Sequence, residues 1–425
     1  MTAISIGAPT STQSRRAVTA AVIGNVLEWY DFAVYGFVAA IIGKNFFPGT
    51  DDTTELLKAF LTFGLGFVAR PFGAIVIGRM GDTHGRKAAL LLTIFLMAVG
   101  TVLIGLLPTY ASIGYAAPAL LLVARLMQGF STGGEWGGST SFIVEWAPKG
   151  KRGLFGSFQQ MSVVAGLLMG STFAALLNTV LTPAQMGDWG WRILFLVGGL
   201  LGPIGIYMRR TIEETPAYTK VKASAPRSGG NGVALAARAF GFTIVWTVAF
   251  YVLLTYMPSW TGKYMNLSPA AALWSNSIGL VALIIGIPIF GQLSDRVGRR
   301  PLLLICGVAF IIVPWPLFTY LASGNVPFVV LVLIQIGVAL LISLYSGAGP
   351  AAISEIFPTR SRSTWMTTGY ALAVAIFGGS APYLSIWMIE KLGSPIAPVW
   401  YLIAAAVVST GVIWSLKETA FDDLA

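Results

Sequence analysis

Charge is scarce in this chain. Only 10% of its 425 residues are Asp, Glu, Lys or Arg, against about 25% in an ordinary soluble domain. A water-facing surface for a protein of this size cannot be built from so little charge, so a soluble globular protein is excluded. Cysteine occurs once, as Cys306, which excludes an internal disulfide. Histidine also occurs once, as His84, too few for a His-based metal centre. No metal or other cofactor is expected. The same shortage leaves no nucleophile–base set, so no enzyme is expected. No cleavable signal peptide is expected either. Residues 1–16 are polar, and the first apolar run carries acids and is too long for an h-region.

What is abundant is apolar sequence: 56% of the residues are hydrophobic and the mean hydropathy is +0.76. Apolar runs of about 20 residues, the length that crosses a bilayer core, recur throughout. They predict an all-α polytopic membrane protein with twelve transmembrane helices, two sets of six. The spans are expected at 17–43, 56–79, 87–107, 114–146, 153–180 and 190–209, then at 236–262, 270–293, 301–322, 326–350, 363–390 and 396–416. The fourth is too long for a straight crossing, so it is expected to tilt or to extend into solvent. The polar stretch 210–235 separates an N-terminal bundle (1–209) from a C-terminal one (236–425).

The net charge of +10 comes from 27 Lys and Arg against 17 Asp and Glu. In a soluble chain this would point to nucleic acid. Here the basic residues cluster between apolar runs, and no nucleic-acid partner is expected. Lys44, Lys58, Arg192, Lys263 and Lys391 fall on one side of the expected topology, Arg70 and Arg125 fall inside spans, and the rest of the 27 lie on the other side. The positive-inside rule places that richer side, and with it both termini, in the cytoplasm.

The two halves repeat each other. After the second span stands Gly78-Arg79-Met80-Gly81-Asp82-Thr83-His84-Gly85-Arg86-Lys87, and after the eighth Gly291-Gln292-Leu293-Ser294-Asp295-Arg296-Val297-Gly298-Arg299-Arg300. After the fourth span Glu145 is followed by Pro148 and Arg152, and after the tenth Glu355 is followed by Pro358 and Arg362. Two motifs recurring in one order, once per six spans, indicate a duplicated six-helix unit. Asp82 or Asp295 can cap a neighbouring helix start, and Arg86 or Arg299 can pair with an acid on another helix.

This pair of G-x-x-x-D-x-x-G-R-[KR] loops resembles the signature of the major facilitator superfamily, over the whole chain. The resemblance implies that the loops latch the cytoplasmic side, with Glu145 and Glu355 as partners of the latch, and that the protein is a monomer. Finer motifs resemble the metabolite:H+ symporter family. They are Gly24-Asn25-Val26-Leu27-Glu28-Trp29-Tyr30-Asp31-Phe32, Arg70-Pro71-Phe72-Gly73, Arg125 through Glu135, Trp189-Gly190-Trp191-Arg192, Arg209-Arg210 through Glu213-Glu214-Thr215-Pro216, and Ile376-Phe377-Gly378-Gly379. That family includes bacterial symporters for citrate, tricarballylate, α-ketoglutarate, shikimate, and proline or betaine.

An ionisable residue near the bilayer centre costs a few kcal/mol and marks function by default. Glu28 and Asp31 are three residues apart, on one helical face, and Glu28 lies about 16 Å along the first span. Arg70 lies in the second span, Arg125 and Glu135 in the fourth. Asp31, Glu28 and Arg125 are the expected proton-coupling residues. The resemblance implies that Asp31 faces Arg125, which keeps it ionised until the two separate. Glu135 reads as a latch or packing partner. Arg70 and Arg125 can hold a substrate carboxylate through the bidentate guanidinium fork.

Further substrate-lining candidates are Asn25, Tyr35, Gln128, Gln159 and Gln160 in the first half. In the second they are Tyr251, Tyr256, Asn276, Tyr345, Ser346 and Tyr370. Trp246, Trp260, Trp400 and Trp414 read as membrane-interface anchors. Gly133 through Gly138 lacks the Lys-[Ser/Thr] ending of a phosphate loop and reads as a close-packing stretch. The expected function is proton-coupled import of a small organic acid, a di- or tricarboxylate such as citrate, by alternating access in the bacterial inner membrane. A proline/betaine-type osmolyte symporter is the alternative. Leu254 through Ser259 looks like those carriers. The family motifs and the density of membrane charge argue against multidrug efflux.

Overall fold

A backbone in lipid must satisfy its polar groups internally, and helices do so within one segment. The computed structural model is accordingly helical throughout, with no strand among the described residues. It describes residues 22, 25, 26, 28–49, 51–84, 86–133, 136, 139, 140, 143, 144, 147, 148, 150–210, 232–324, 326–357 and 362–422, with side chains left undescribed at 78, 79, 81–90, 201, 204–210 and 362–364.

The first span appears as 28–37 followed by Ala39–Phe46. The second is Asp52–Val68 continued by Arg70–His84, and Asp51 starts it by accepting hydrogen bonds from the Thr53 and Thr54 amides. The third is Arg86–Leu106, the fourth begins with Ala116–Ser131, the fifth is Arg152–Val180 and the sixth Trp191–Arg210. In the second half, Gly232–Phe250 runs through the π-helical turn Tyr251–Tyr256 into Met257–Tyr264, which makes the seventh span. The eighth is Pro269–Val297. The ninth, Arg299–Ile312 and Pro314–Ala322, is bent by 42° at Val313, where Pro314 removes a backbone donor. The tenth is Phe328–Glu355. The eleventh joins Arg362–Ala373 to Ala381–Leu392 through a π turn at Val374–Gly378, and the twelfth is Pro398–Ser415.

Among the described residues seven helices meet the length and hydropathy needed to cross a membrane, eight with the bent ninth span. The others are shortened by breaks or by neighbouring residues outside the description. The seventh span begins at Gly232, so the end of the expected 210–235 linker is helical.

The halves meet mainly along the fifth and eighth spans, with further contact between the fifth and tenth and between the second and eleventh. Glycine lets the second and fourth spans touch backbone to backbone. A Cβ built on Gly129 would stand 1.6 Å from the Gly66 carbonyl oxygen, and one on Gly133 would stand 2.0 Å from that of Arg70. Small-x-x-x-small spacing drives this kind of approach in lipid, where no hydrophobic force pulls helices together. The contact brings Arg70 and Arg125 to one place.

Candidate transport site

Arg125 is fully buried, and Asp31 and Arg70 are each 5% exposed. The two arginines sit among aromatic rings of the first and second spans. The Arg70 guanidinium carbon lies 4.2 Å from the Phe67 ring centroid and 4.7 Å from that of Phe32. The Arg125 carbon lies 4.4 Å from the Tyr35 centroid and 5.0 Å from that of Phe32. Both cations therefore share the Phe32 ring. Desolvated cation–π contacts are worth about 2 kcal/mol or more each, which offsets part of the cost of removing these charges from water.

The hydrogen-bonding capacity is not used up. Nε and Nη2 of both Arg70 and Arg125 have no hydrogen-bond partner among the described residues. Those two nitrogens form the side-on edge that grips a carboxylate. Each buried donor left without a partner costs about 1–3 kcal/mol. The second half closes over this edge with Tyr251, whose ring meets Phe67 at 5.3 Å and Phe63 at 6.0 Å. Its hydroxyl also has no partner among the described residues. Tyr251 opens the π turn of the seventh span, a distortion often found at functional sites.

Asp31 makes no direct ion pair with Arg125, which differs from the sequence expectation. The two are joined through a line of hydrogen bonds. Arg125 Nη1 donates to Gln128 Oε1 at 2.7 Å, Gln128 Nε2 donates to Thr101 Oγ1 at 2.8 Å, and Thr101 Oγ1 donates to Asp31 Oδ2 at 2.8 Å. Asp31 Oδ1 faces Gly198 of the sixth span, where a Cβ would stand only 2.3 Å away. Glu28 is part-buried, one turn below Asp31. Thr101 was not legible in the sequence, because a threonine in an apolar helix ordinarily bonds back to its own backbone.

Other candidates divide. Tyr35 places its ring against Arg125 while its hydroxyl donates to the Ala59 carbonyl at 3.1 Å. Both polar atoms of Gln159 are buried and unpartnered among the described residues, and Gln160 is buried. Several others are committed to holding helices together. Asn25 donates to Ser162 at 2.7 Å, Asn276 donates to Ser171 at 3.3 Å, Tyr345 donates to the Phe242 carbonyl, and Ser346 accepts from Trp246 at 3.1 Å. Tyr256 packs on Phe60 across the halves at 5.7 Å. Tyr370 stacks on Trp136 at 3.6 Å with 5° between the ring planes. Trp246 and Trp260 are buried rather than interfacial, whereas Trp400 and Trp414 are exposed. The two buried rings lie at helix crossings, which hydropathy alone does not locate.

The motif residues join the halves at one end. Asp295 accepts hydrogen bonds from the Gly153 and Leu154 amides at 2.8 and 2.9 Å, so an acid of the second half caps the fifth span. Arg299 pairs with Asp295 at 2.8 Å, and Arg152 pairs with Glu355 at 3.0 Å. Gly291 is packed so closely that a Cβ there would stand 2.7 Å from Ser157. Gly298 adopts φ +101°, a conformation that favours glycine.

Glu418, beyond the twelfth span, accepts from the Arg299 and Arg300 amides at 2.9 Å each. Burial opposes its charge, but the amides of Arg299, Ala420, Arg300 and Thr419 outweigh it and hold its carboxyl below the usual range. At the opposite end Lys263 donates to Thr53, and Trp274 donates to Thr179 at 3.2 Å. Gly85, Glu135 and Glu145 lie outside the described residues, as do the side chains of Asp82, Arg86 and Arg362, and Gly78 is described as backbone only.

The family profile described as "Sugar (and other) transporter" matches residues 17–228, and that of the "Major Facilitator Superfamily" matches 242–423. The proline/betaine transporter of Escherichia coli (strain K12) is 35% identical over 96% of this chain and 84% of its own length. The citrate-proton symporter of Klebsiella pneumoniae is 35% identical over 90% of this chain and 87% of its own. The alpha-ketoglutarate permease of Escherichia coli (strain K12) is 34% identical over 94% of each chain. The fold is similar to that of the xylose transporter XylE from E. coli in a partially occluded inward-open conformation, with TM-score 0.79, 18% identity, and 96% and 99% of the two chains covered. Two six-helix halves, the duplicated loop motif and relatives matched along almost the whole length give one answer: the chain belongs to the major facilitator superfamily, in its metabolite:H+ symporter family, and is a membrane transporter.

Proposed function

We propose that the protein is a proton-coupled symporter that imports a small organic acid, with a di- or tricarboxylate such as citrate as its substrate. The observation that carries this reading is the pair of buried guanidinium edges, Nε and Nη2 of Arg70 and of Arg125, with no partner among the described residues. Two edges beside one aromatic ring suit two carboxylates of one molecule, and the Tyr251 hydroxyl supplies a donor from the opposite half. Binding between the halves gives the substrate a hold on both, as rocking about a central site requires. Asp31 carries the proton, with Glu28 beside it. The latch around Asp295, Arg299, Arg152 and Glu355 closes the cytoplasmic end. The protein works as a monomer in the bacterial inner membrane, its halves 1–209 and 236–425 joined by 210–235 and both termini in the cytoplasm.

A second reading is import of a zwitterion of the proline/betaine kind. It is favoured by the aromatic lining, which suits a quaternary ammonium, and by the 35% identity to a proline/betaine transporter.

The test is a thermal-shift panel on the purified protein with citrate, tricarballylate, α-ketoglutarate, shikimate, proline and betaine. A ligand at 100 times its Kd stabilises by about 2.7 kcal/mol. A shift with the di- and tricarboxylates supports the first reading. A shift with proline or betaine alone replaces it with the second. Asp31→Asn in proteoliposomes is expected to abolish accumulation driven by a pH gradient while leaving exchange. Uphill transport by that variant would remove Asp31 from the coupling role.

A further inference from the structure

We propose that Thr101 and Gln128 are positioning residues that carry the protonation state of Asp31 to the carboxylate-gripping guanidinium of Arg125. The inference rests on the symporter reading above and adds the physical link between its two ends.

The direction of each bond is set by chemistry. A guanidinium can only donate, so Gln128 must turn Oε1 to Arg125 and Nε2 to Thr101. The Thr101 oxygen then accepts from Gln128, and its single proton is left for Asp31 Oδ2. The line therefore ends on an acceptor and is strongest when that acceptor is ionised.

Protonation at Oδ2 leaves the Thr101 hydroxyl facing another donor. Protonation at Oδ1 puts the proton against Gly198, whose missing side chain gives that oxygen its room, and turns a charge-assisted bond into a neutral one. Either event loosens Gln128 and with it Nη1 of Arg125. Once freed from the influence of a distant anion, Arg125 binds a substrate carboxylate more tightly. Substrate affinity therefore rises as Asp31 takes up a proton, the sign that symport needs.

Other charges face the same place and set its background. Glu28 acts on Asp31 from the same helix and Arg125 from the fourth span, Tyr30 adjoins Asp31, and Arg70 acts on Arg125 from the second. The third span contributes Thr101 and the sixth Gly198, neither of them charged.

The experiment uses the full-length protein in proteoliposomes with radiolabelled α-ketoglutarate and, in parallel, proline. The carboxylates of both probes keep their charge between about pH 6 and pH 8. Thr101→Val removes the hydroxyl and keeps the shape; Thr101→Ser keeps the hydroxyl. The wild type is expected to bind its probe about tenfold more tightly at the lower pH, within the range of ordinary coupling energies. Thr101→Val is expected to bring that ratio near one and to lose gradient-driven accumulation while counterflow, which needs no coupling, continues. Thr101→Ser is expected to restore both.

A wild-type pH ratio in Thr101→Val overturns the relay. Loss of the ratio in Thr101→Ser overturns it too, because packing rather than the hydroxyl would then be responsible. If the wild type accumulates none of the six compounds of the thermal-shift panel under a gradient, the symporter reading fails and the relay falls with it. A wild type that accumulates, matched by Thr101→Val, removes the relay alone.

Discussion

Replacing Gly129 by Ala tests the geometry on which the site depends. The added methyl carbon would stand 1.6 Å from the Gly66 carbonyl oxygen and 2.6 Å from its carbon. Ordinary contact begins at 3.4 Å, so the second and fourth spans must part by about 1.8 Å locally to admit it. The neighbour is backbone in the middle of a helix and cannot rotate aside. Overpacking of this kind costs about 1–3 kcal/mol, against about 1 kcal/mol that Ala gains over Gly in a helix.

Gly337, exposed on the tenth span, has nothing within 4 Å of its added Cβ. Gly337→Ala keeps only the favourable contribution, so the difference between the two variants isolates the clash. Cys306, the single cysteine and fully buried, allows melting to be followed with a thiol-reactive dye. Gly129→Ala is expected to melt below the wild type and Gly337→Ala at or above it. The functional loss should exceed the loss of stability. Arg125 stands one turn before Gly129, and a site held to less than about 0.5 Å does not survive such a shift. If Gly129→Ala melts like Gly337→Ala and transports normally, the close approach of these spans is not what sets the arginine pair.

Two further substitutions probe the end where the motif residues join the halves. Glu355→Gln removes the carboxylate shared by Arg152 at 3.0 Å and Arg299 at 3.4 Å. Breaking a buried pair costs about 3–5 kcal/mol, and Asp295 remains to Arg299. The variant is therefore expected to slow uptake with little change in equilibrium binding, measured side by side; a large change in Kd at an unchanged rate would contradict a latch. The carboxyl of Glu418 titrates below its usual range when folded. Its contribution to stability is therefore complete above the ordinary Glu value of about 4.3 and is lost as pH falls through the lower folded value. Glu418→Gln is expected to lower the melting temperature at neutral pH and to flatten its decline in acid. A parallel decline in both proteins would show that the tail contact is unimportant.

The local features of this protein are written in its order of residues. Apolar runs long enough for a bilayer produce helices whatever surrounds them, because the backbone has no other partner in lipid. The duplicated Gly78–Lys87 and Gly291–Arg300 motifs show the two halves, and a lone Asp31 or Arg125 in an apolar run stands out without any coordinates.

Distances between spans are not written there. That Asp31 reaches Arg125 through Thr101 and Gln128, rather than directly, depends on where the third helix lies between the first and fourth. The buried settings of Trp246 and Trp260, the stack of Trp136 on Tyr370 and the return of Glu418 to Arg299 follow equally from how helices cross. Only packing decides which polar atom meets which, since the order of residues along one helix does not say which neighbour it will cross.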